Sequence, residues 1–165
     1  MCGIVGYVGS KKATPILING LKKLEYRGYD SADISVLTNN TDEINVKKSK
    51  GDLKFLVEKI TGKVVDMSKN YDSLIAKCGD IVDGSIGIGH TRWATHGEPS
   101  DTNSHPHLSM DGKISLVHNG IIENYAELKA KLQAEGVVFK SQTDTEVAVN
   151  LINRFYNEEK DIFKA

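Results

Sequence analysis

Cysteine is scarce in this 165-residue chain: Cys2 and Cys78 are the only two, and they form no CxxC pair. Neither a disulfide framework nor a thiolate zinc site is indicated, and a reduced cytoplasm is the expected setting. Long apolar runs are also missing. Nothing approaches the ~18 residues needed to cross a bilayer. The N-terminal apolar stretch is broken by Gly3, Gly6 and Gly9 and precedes Lys11 and Lys12, the wrong order for a secretory signal. Charge of one sign is lacking too, since 21 Lys and Arg against 22 Asp and Glu leave a formal net charge of −1. That provides no field for nucleic acid or an anionic membrane, and neither is expected as a partner. No repeat or low-complexity segment appears. What remains is 39% hydrophobic and 26% charged, which with this length describes one globular domain.

Along the chain, Ile4–Val8 is a short apolar run between glycines and predicts a buried strand. Thr14-Pro15 predicts an N-cap followed by proline in the first turn, and Leu17, Leu21 and Leu24 carry the helix on. Tyr26 to Ser31 is a polar, aromatic loop. The alternations around Ile34 and Val36, and around Ile44 and Val46, flank the turn cluster 38–42 and predict a β-hairpin. Leu53, Leu56, Val57 and Ile60 have helical spacing. The stretch 61–83 is poorly patterned, with a short helix at 73–77 and no place for Cys78. Ile86 and Ile88 predict a strand running into His90-Thr91-Arg92-Trp93, then an irregular segment from Ala94 to Pro106. Strands at 114–117 and 137–139 bracket a helix marked by Tyr125, Leu128 and Leu132 and stopped by Gly136. Thr143-Asp144-Thr145-Glu146 has capping-box spacing before an amphipathic helix with Val147, Leu151, Ile152 and Phe155 on its apolar face. A further helix is signalled at Asp161-Ile162-Phe163. Periodicity alone yields a mixed α and β domain.

Chemistry concentrates in four places. With Met1 removed, Cys2 carries both a thiol and a free α-amine. The amine's ordinary pKa of about 7.7–8.0 lets it serve as base to the thiolate nucleophile; the alternative is a small buried residue near a terminus. His90, His96, His105 and His107 invite a metal, but their spacing is irregular and no carboxylate or thiol completes a ligand set. Arg92 suits a bidentate grip on a carboxylate, or merely decorates the surface. Asn119-Gly120 is either a hairpin turn or a pair of oxyanion donors, one side-chain amide and one backbone N–H. Asp144 is a helix-start residue by default, with pairing to a substrate ammonium group as its other role.

These parts resemble a known family closely. Met-Cys-Gly-Ile-Val-Gly at 1–6, Leu-Glu-Tyr-Arg-Gly-Tyr-Asp-Ser at 24–31 and His-Thr-Arg-Trp-Ala-Thr-His-Gly at 90–97 match in order. Asn-Ser-His-Pro-His at 103–107, His-Asn-Gly-Ile-Ile-Glu-Asn at 118–124 and Gln-Thr-Asp-Thr-Glu at 142–146 continue the match. The chain is similar to the N-terminal class II glutamine amidotransferase domain of the glutamine–fructose-6-phosphate aminotransferase family, over nearly its whole length (2–165). The resemblance implies an α+β N-terminal-nucleophile hydrolase fold, a four-layer αββα sandwich. It implies glutamine amide hydrolysis through a thioester on Cys2, with the α-amine as base and Asn119 and Gly120 as the oxyanion hole. Arg92 would hold the α-carboxylate of L-glutamine and Asp144 its α-ammonium. Thr95, His96 and His105 would line the pocket, and Trp93 would gate the ammonia path. No cofactor or metal is implied. Fructose 6-phosphate would be met only through an isomerase domain absent here, in a homodimer of the full-length, cytoplasmic enzyme of amino-sugar biosynthesis.

Three departures accompany the match. Position 33 is aspartate where the family pattern has glycine, a mild cost if the backbone there has positive φ. The 61–83 stretch is longer than usual. The chain ends at Ala165, before the remaining strands, so an incomplete sandwich, aggregation-prone and weak or inactive alone, is the expectation. The competing readings are another class II amidotransferase and a catalytically silent, partner-binding remnant.

Overall fold

The computed structural model describes residues 2–93 and 100–165. Strands β1 (Gly3–Val8), β2 (Ser31–Thr38), β3 (Ile44–Lys50) and β4 (Gly84–Arg92) form an antiparallel sheet in the order β1-β4-β2-β3. Helices α1 (Ala13–Lys22), α2 (Leu53–Thr61) and α3 (Tyr71–Ile81) cover one face. The reason is strand alternation: Ala32, Ile34 and Val36 of β2 are fully buried and pack with Leu17 and Leu21 of α1 and Leu56 of α2 in one core. On the far side lie a short pair, β5 (His107–Leu108) with β6 (Ser115–Leu116), and the packed helices α4 (Tyr125–Ala134) and α5 (Asp144–Glu159). The layer order is helix, sheet, sheet, helix, as the α+β αββα expectation has it.

The second face of the large sheet changes character along its length. One cross-strand row reads Ile4, His90, Asp33, Lys48; the next Gly6, Ile88, Ser35, Val46; the third Val8, Ile86, Leu37, Ile44. Polar groups therefore gather at one end of this face and apolar ones at the other. Arg92 lies two residues beyond His90, so it projects from the same polar end.

Several expectations need correction. Helix α1 begins at Ala13, and Thr14 is not its cap: the Thr14 hydroxyl is buried and donates to the Val82 carbonyl at 2.7 Å. Helix α3 is twice as long as the 73–77 segment, because Tyr71, Leu74, Ile75 and Cys78 form an i, i+3, i+4, i+7 stripe that reads as apolar only when Tyr and Cys are counted. Gly79 hides that helix further; a Cβ there would sit 2.7 Å from Pro15 Cγ, so the α1–α3 contact requires glycine. The strand at 137–139 does not form; the N–H groups of Lys140 and Ser141 go to the Glu146 carboxylate instead of a ladder. At 114–117 only Ser115–Leu116 pairs. After α5, Lys160 turns left-handed (φ 56°), and 161–165 makes a single turn rather than a new helix.

The apolar face of α5 is also displaced. Val147, Val149, Asn150 and Asn153 are buried, whereas Leu151 and Ile152 are half-buried and Phe155 is exposed. Asn150 can be buried because its amide is used at both ends, Nδ2 donating to the Glu146 carbonyl and Oδ1 accepting from Met110 N–H. Asp33 does not have positive φ; it is extended in β2 and fully buried. Its cost is desolvation. The carboxylate accepts from Ser49 N–H and the Ser31 hydroxyl, both at 2.9 Å, and faces Lys48 across the strands, yet burial still pushes its pKa up to about 7.

Candidate active site

Gly3 opposite Thr91 in the β1–β4 register places Cys2 against the end of β4. The approach is close enough that a Cβ at position 3 would lie 2.7 Å from Leu24 Cδ1 and 2.9 Å from Thr91 Oγ1. There Trp93 N–H donates to Cys2 Sγ at 3.2 Å, and the thiol lies 3.6 Å from the Trp93 carbonyl. These two contacts to the Trp93 backbone hold the sulfur at the end of β4. Cys2 is partly exposed; Cys78 is buried in the core, where burial pushes its thiol up to about 11 and leaves it inert.

Cys2 opens into a cavity of about 440 Å³, within the ~300–1,000 Å³ usual for small-molecule sites. Arg92 at the end of β4 and Trp93 just after it, His105 from the segment before β5, Asn119 and Gly120 after β6, and Asp144 at the start of α5 all line it. Seven of the residues singled out in the sequence thus meet in one place. Thr95 and His96 lie outside the described residues. His90, His118, Ile121 and Thr143 also line the cavity; the sequence offered His90 only as a weak metal candidate and Thr143 only as a helix cap, and it gave His118 and Ile121 no role, although all four sit inside the matched strings.

Each wall has a local cause. Arg92 is 5% exposed, its guanidinium carried by the polar end of β4. Thr143 caps α5, its hydroxyl accepting from Glu146 N–H at 3.3 Å. The reciprocal carboxylate reaches further back than a capping box requires, accepting from Lys140 N–H, Ser141 N–H and the Ser141 hydroxyl at 2.6–2.8 Å. This closes the loop that delivers Asp144. The Asp144 carboxylate accepts from Ile122 N–H at 2.8 Å and sits where the helix dipole favours negative charge. A Cβ on Gly120 would lie 2.8 Å from His118 Nε2, so any side chain there would require the imidazole to shift.

Three imidazoles meet at the cavity wall: His90 and His105, tilted by 30° with centroids 4.7 Å apart, and His105 and His107, edge-on at 5.0 Å. Burial lowers all three, His90 to about 4, His107 to about 3 and His105 to about 2, with the Arg92 charge pushing the same way. They are neutral at physiological pH. Neutral imidazoles can ligate metal, but among the described residues no three His, Cys, Asp or Glu side chains are arranged to hold an ion. None of the helices described is long and apolar enough to cross a membrane.

The chain matches the family of glutamine amidotransferase domains over residues 75–160, just over half its length, and belongs to that family. It is 59% identical over 157 residues to the isomerizing glutamine–fructose-6-phosphate aminotransferase of Caldanaerobacter subterraneus subsp. tengcongensis, covering 95% of this chain and 23% of that protein. Identity to the aminotransferase of the same name from Bacteroides thetaiotaomicron is 56% over 152 residues, covering 92% and 22%. The chain therefore spans less than a quarter of these relatives. Among solved structures it resembles the glutamine phosphoribosylpyrophosphate amidotransferase of B. subtilis, crystallised with ADP and GMP, with a TM-score of 0.65 and 27% identity over 93% of this chain and 29% of that one.

Proposed function

We propose that this domain hydrolyses the side-chain amide of L-glutamine through a glutamyl thioester on Cys2. The observation that carries this is the convergence of Cys2, Asn119, Gly120, Arg92 and Asp144 on one cavity. A single buried guanidinium and a single carboxylate facing the same space suit a zwitterion, whose α-carboxylate and α-ammonium they would hold. Its side-chain amide then reaches Cys2.

With Met1 removed, the Cys2 α-amine takes the thiol proton as sulfur attacks the amide carbon. The developing oxyanion accepts from the Asn119 amide and the Gly120 N–H. The α-ammonium returns its proton to the departing nitrogen and ammonia leaves. Water then attacks the thioester, releasing glutamate and restoring the thiol. His105 would shape the wall as a neutral imidazole, and the half-exposed Trp93 would gate the ammonia path. In a longer polypeptide of the aminotransferase type, that ammonia would convert fructose 6-phosphate to glucosamine 6-phosphate in a cytoplasmic homodimer. The names and identities of the relatives favour this acceptor over phosphoribosylpyrophosphate.

The test is glutamine-dependent glutamate release by protein shown by mass spectrometry to begin at Cys2, beside Cys2→Ala and a form with an uncleavable N-terminal extension. Release is expected only from the first. Normal release with Met1 retained would refute the amine as base.

A further inference from the structure

His90 is fully buried near the end of β4, and among the described residues its hydrogen bond is to the proposed oxyanion donor: Nε2 lies 2.7 Å from Asn119 Oδ1. An amide carbonyl oxygen has no proton to give, so this contact requires the hydrogen on Nε2. His90 Nδ1 is buried with no hydrogen-bond partner among the described residues. A lone bare ring nitrogen there is the less costly arrangement, because the opposite tautomer would bury an unpaired N–H donor. With Oδ1 held by His90, the two amide hydrogens of Asn119 are the end left to the cavity. Asn side chains are nearly symmetric in shape, and without such a partner either end would face the substrate.

We propose that His90 is the positioning residue for Asn119: its Nε2–H fixes which end of the amide faces the cavity and so assembles the oxyanion hole. His90 touches no reacting atom and acts only through Asn119. The strand register explains its reliability, since β4 is held between β1 and β2 on both sides, with Ile4 and Asp33 as neighbours of His90. The proposal rests on the thioester chemistry above and refines it.

The test compares kcat and KM for glutamate release in the full-length, Met1-processed polypeptide carrying His90→Phe, His90→Gln, Asn119→Ala and the His90→Phe/Asn119→Ala pair. Phe keeps the ring volume without a donor; Gln restores an N–H near the Nε2 position. His90→Phe is expected to lower kcat by at least ~10-fold, bounded by the ~10²–10³ of losing one oxyanion donor, with KM changed less than about threefold. His90→Gln should recover most of the rate, and the double variant should be no slower than Asn119→Ala alone, because the two act as one unit. Unchanged kcat in a folded His90→Phe, or a multiplicative loss in the pair, would overturn the role. Should His90→Phe fail to fold, ¹⁵N-histidine NMR of the unmutated protein decides: protonation at Nε2 of His90 supports the proposal and protonation at Nδ1 overturns it. Absence of Cys2-dependent glutamate release in the unmutated protein would instead refute the thioester chemistry, with the NMR still reporting whether the His90–Asn119 bond exists.

Discussion

Lowering the pH from 7.0 to 5.5 is expected to destabilise this domain through the clustered histidines. His90, His105 and His107 have folded pKa values of about 4, 2 and 3, against an ordinary 6.5. Their depressed values mean that the stability they contribute is present above about 6.5 and is lost as pH falls toward the folded values, because the unfolded chain takes up protons first. Over this interval each imidazole costs about 1.2 kcal/mol, roughly 4 kcal/mol for the three. Asp33 works in the other direction. Its folded value is raised from 3.8 to about 7, so the folded state binds the extra proton; the stability from that proton is full below about 4 and is lost as pH rises through 7. Going down to pH 5.5 it returns roughly 2 kcal/mol, leaving a net loss of roughly 2 kcal/mol. At a urea dependence of ~1–3 kcal/mol per molar, the urea midpoint should fall by about 1 M. In Asp33→Asn the offset disappears and the same pH change should cost roughly 4 kcal/mol. A midpoint equal or higher at pH 5.5 would refute the neutral, buried state of the histidines, and an identical pH response in Asp33→Asn would refute the raised carboxyl.

Arg92→Ala and Asp144→Ala should each raise KM for glutamine far more than they lower kcat, measured by glutamate release; a pure kcat effect would remove them from the substrate grip. Glu146→Ala strands the N–H groups of Lys140 and Ser141, and should destabilise by about 2–4 kcal/mol in urea unfolding while weakening glutamine binding through Asp144. Gly120→Ala forces a Cβ to within 2.8 Å of His118 Nε2, so activity should fall by more than any change in urea midpoint accounts for. Leu56→Ala, deep beneath the sheet and remote from Cys2, should cost ~2–5 kcal/mol and leave kcat per folded molecule unchanged.

Elements whose burial follows simple periodicity were legible in the sequence. The 34–46 hairpin, the 53–60 helix and the Thr143 cap needed only local patterns, and each formed as expected. Where burial was decided by partners remote in sequence, local pattern failed. Helix α3 uses Tyr71 and Cys78 as core residues and tolerates Gly79 because Pro15 presses on it. Residues 137–139 have strand composition but find no ladder, and the buried side of α5 includes Asn150 because Met110 is there to bond it. The site divides the same way. Cys2, Arg92, Asn119 and Asp144 were visible as residue types suited to a task. The partners of Asn119 and Asp144, His90 and the Ile122 N–H, come from other elements and appear only when the chain is folded.

The register of the large sheet explains why the site can be polar and buried at once. The polar members of the row Ile4, His90, Asp33 and Lys48 would be costly as three separate insertions into a core. Here the members share the cost: His90 stays neutral and spends its proton on Asn119, while Asp33 accepts two hydrogen bonds and faces Lys48, whose ammonium donates to the Ser104 carbonyl at 2.5 Å. Burial lowers Lys48 as it raises Asp33, so both shifts reduce the charge carried by this row. The histidines add none at neutral pH. Among the described residues, Arg92 and Asp144 are then the charged side chains that line the cavity itself. A substrate bearing one carboxylate and one ammonium completes both without leaving an excess charge, whereas a substrate lacking either group would leave a buried partner unsatisfied. On the proposed chemistry, selection for a free amino acid over a peptide-bound one would follow from Asp144, because acylating the α-amine removes the charge its carboxylate would meet.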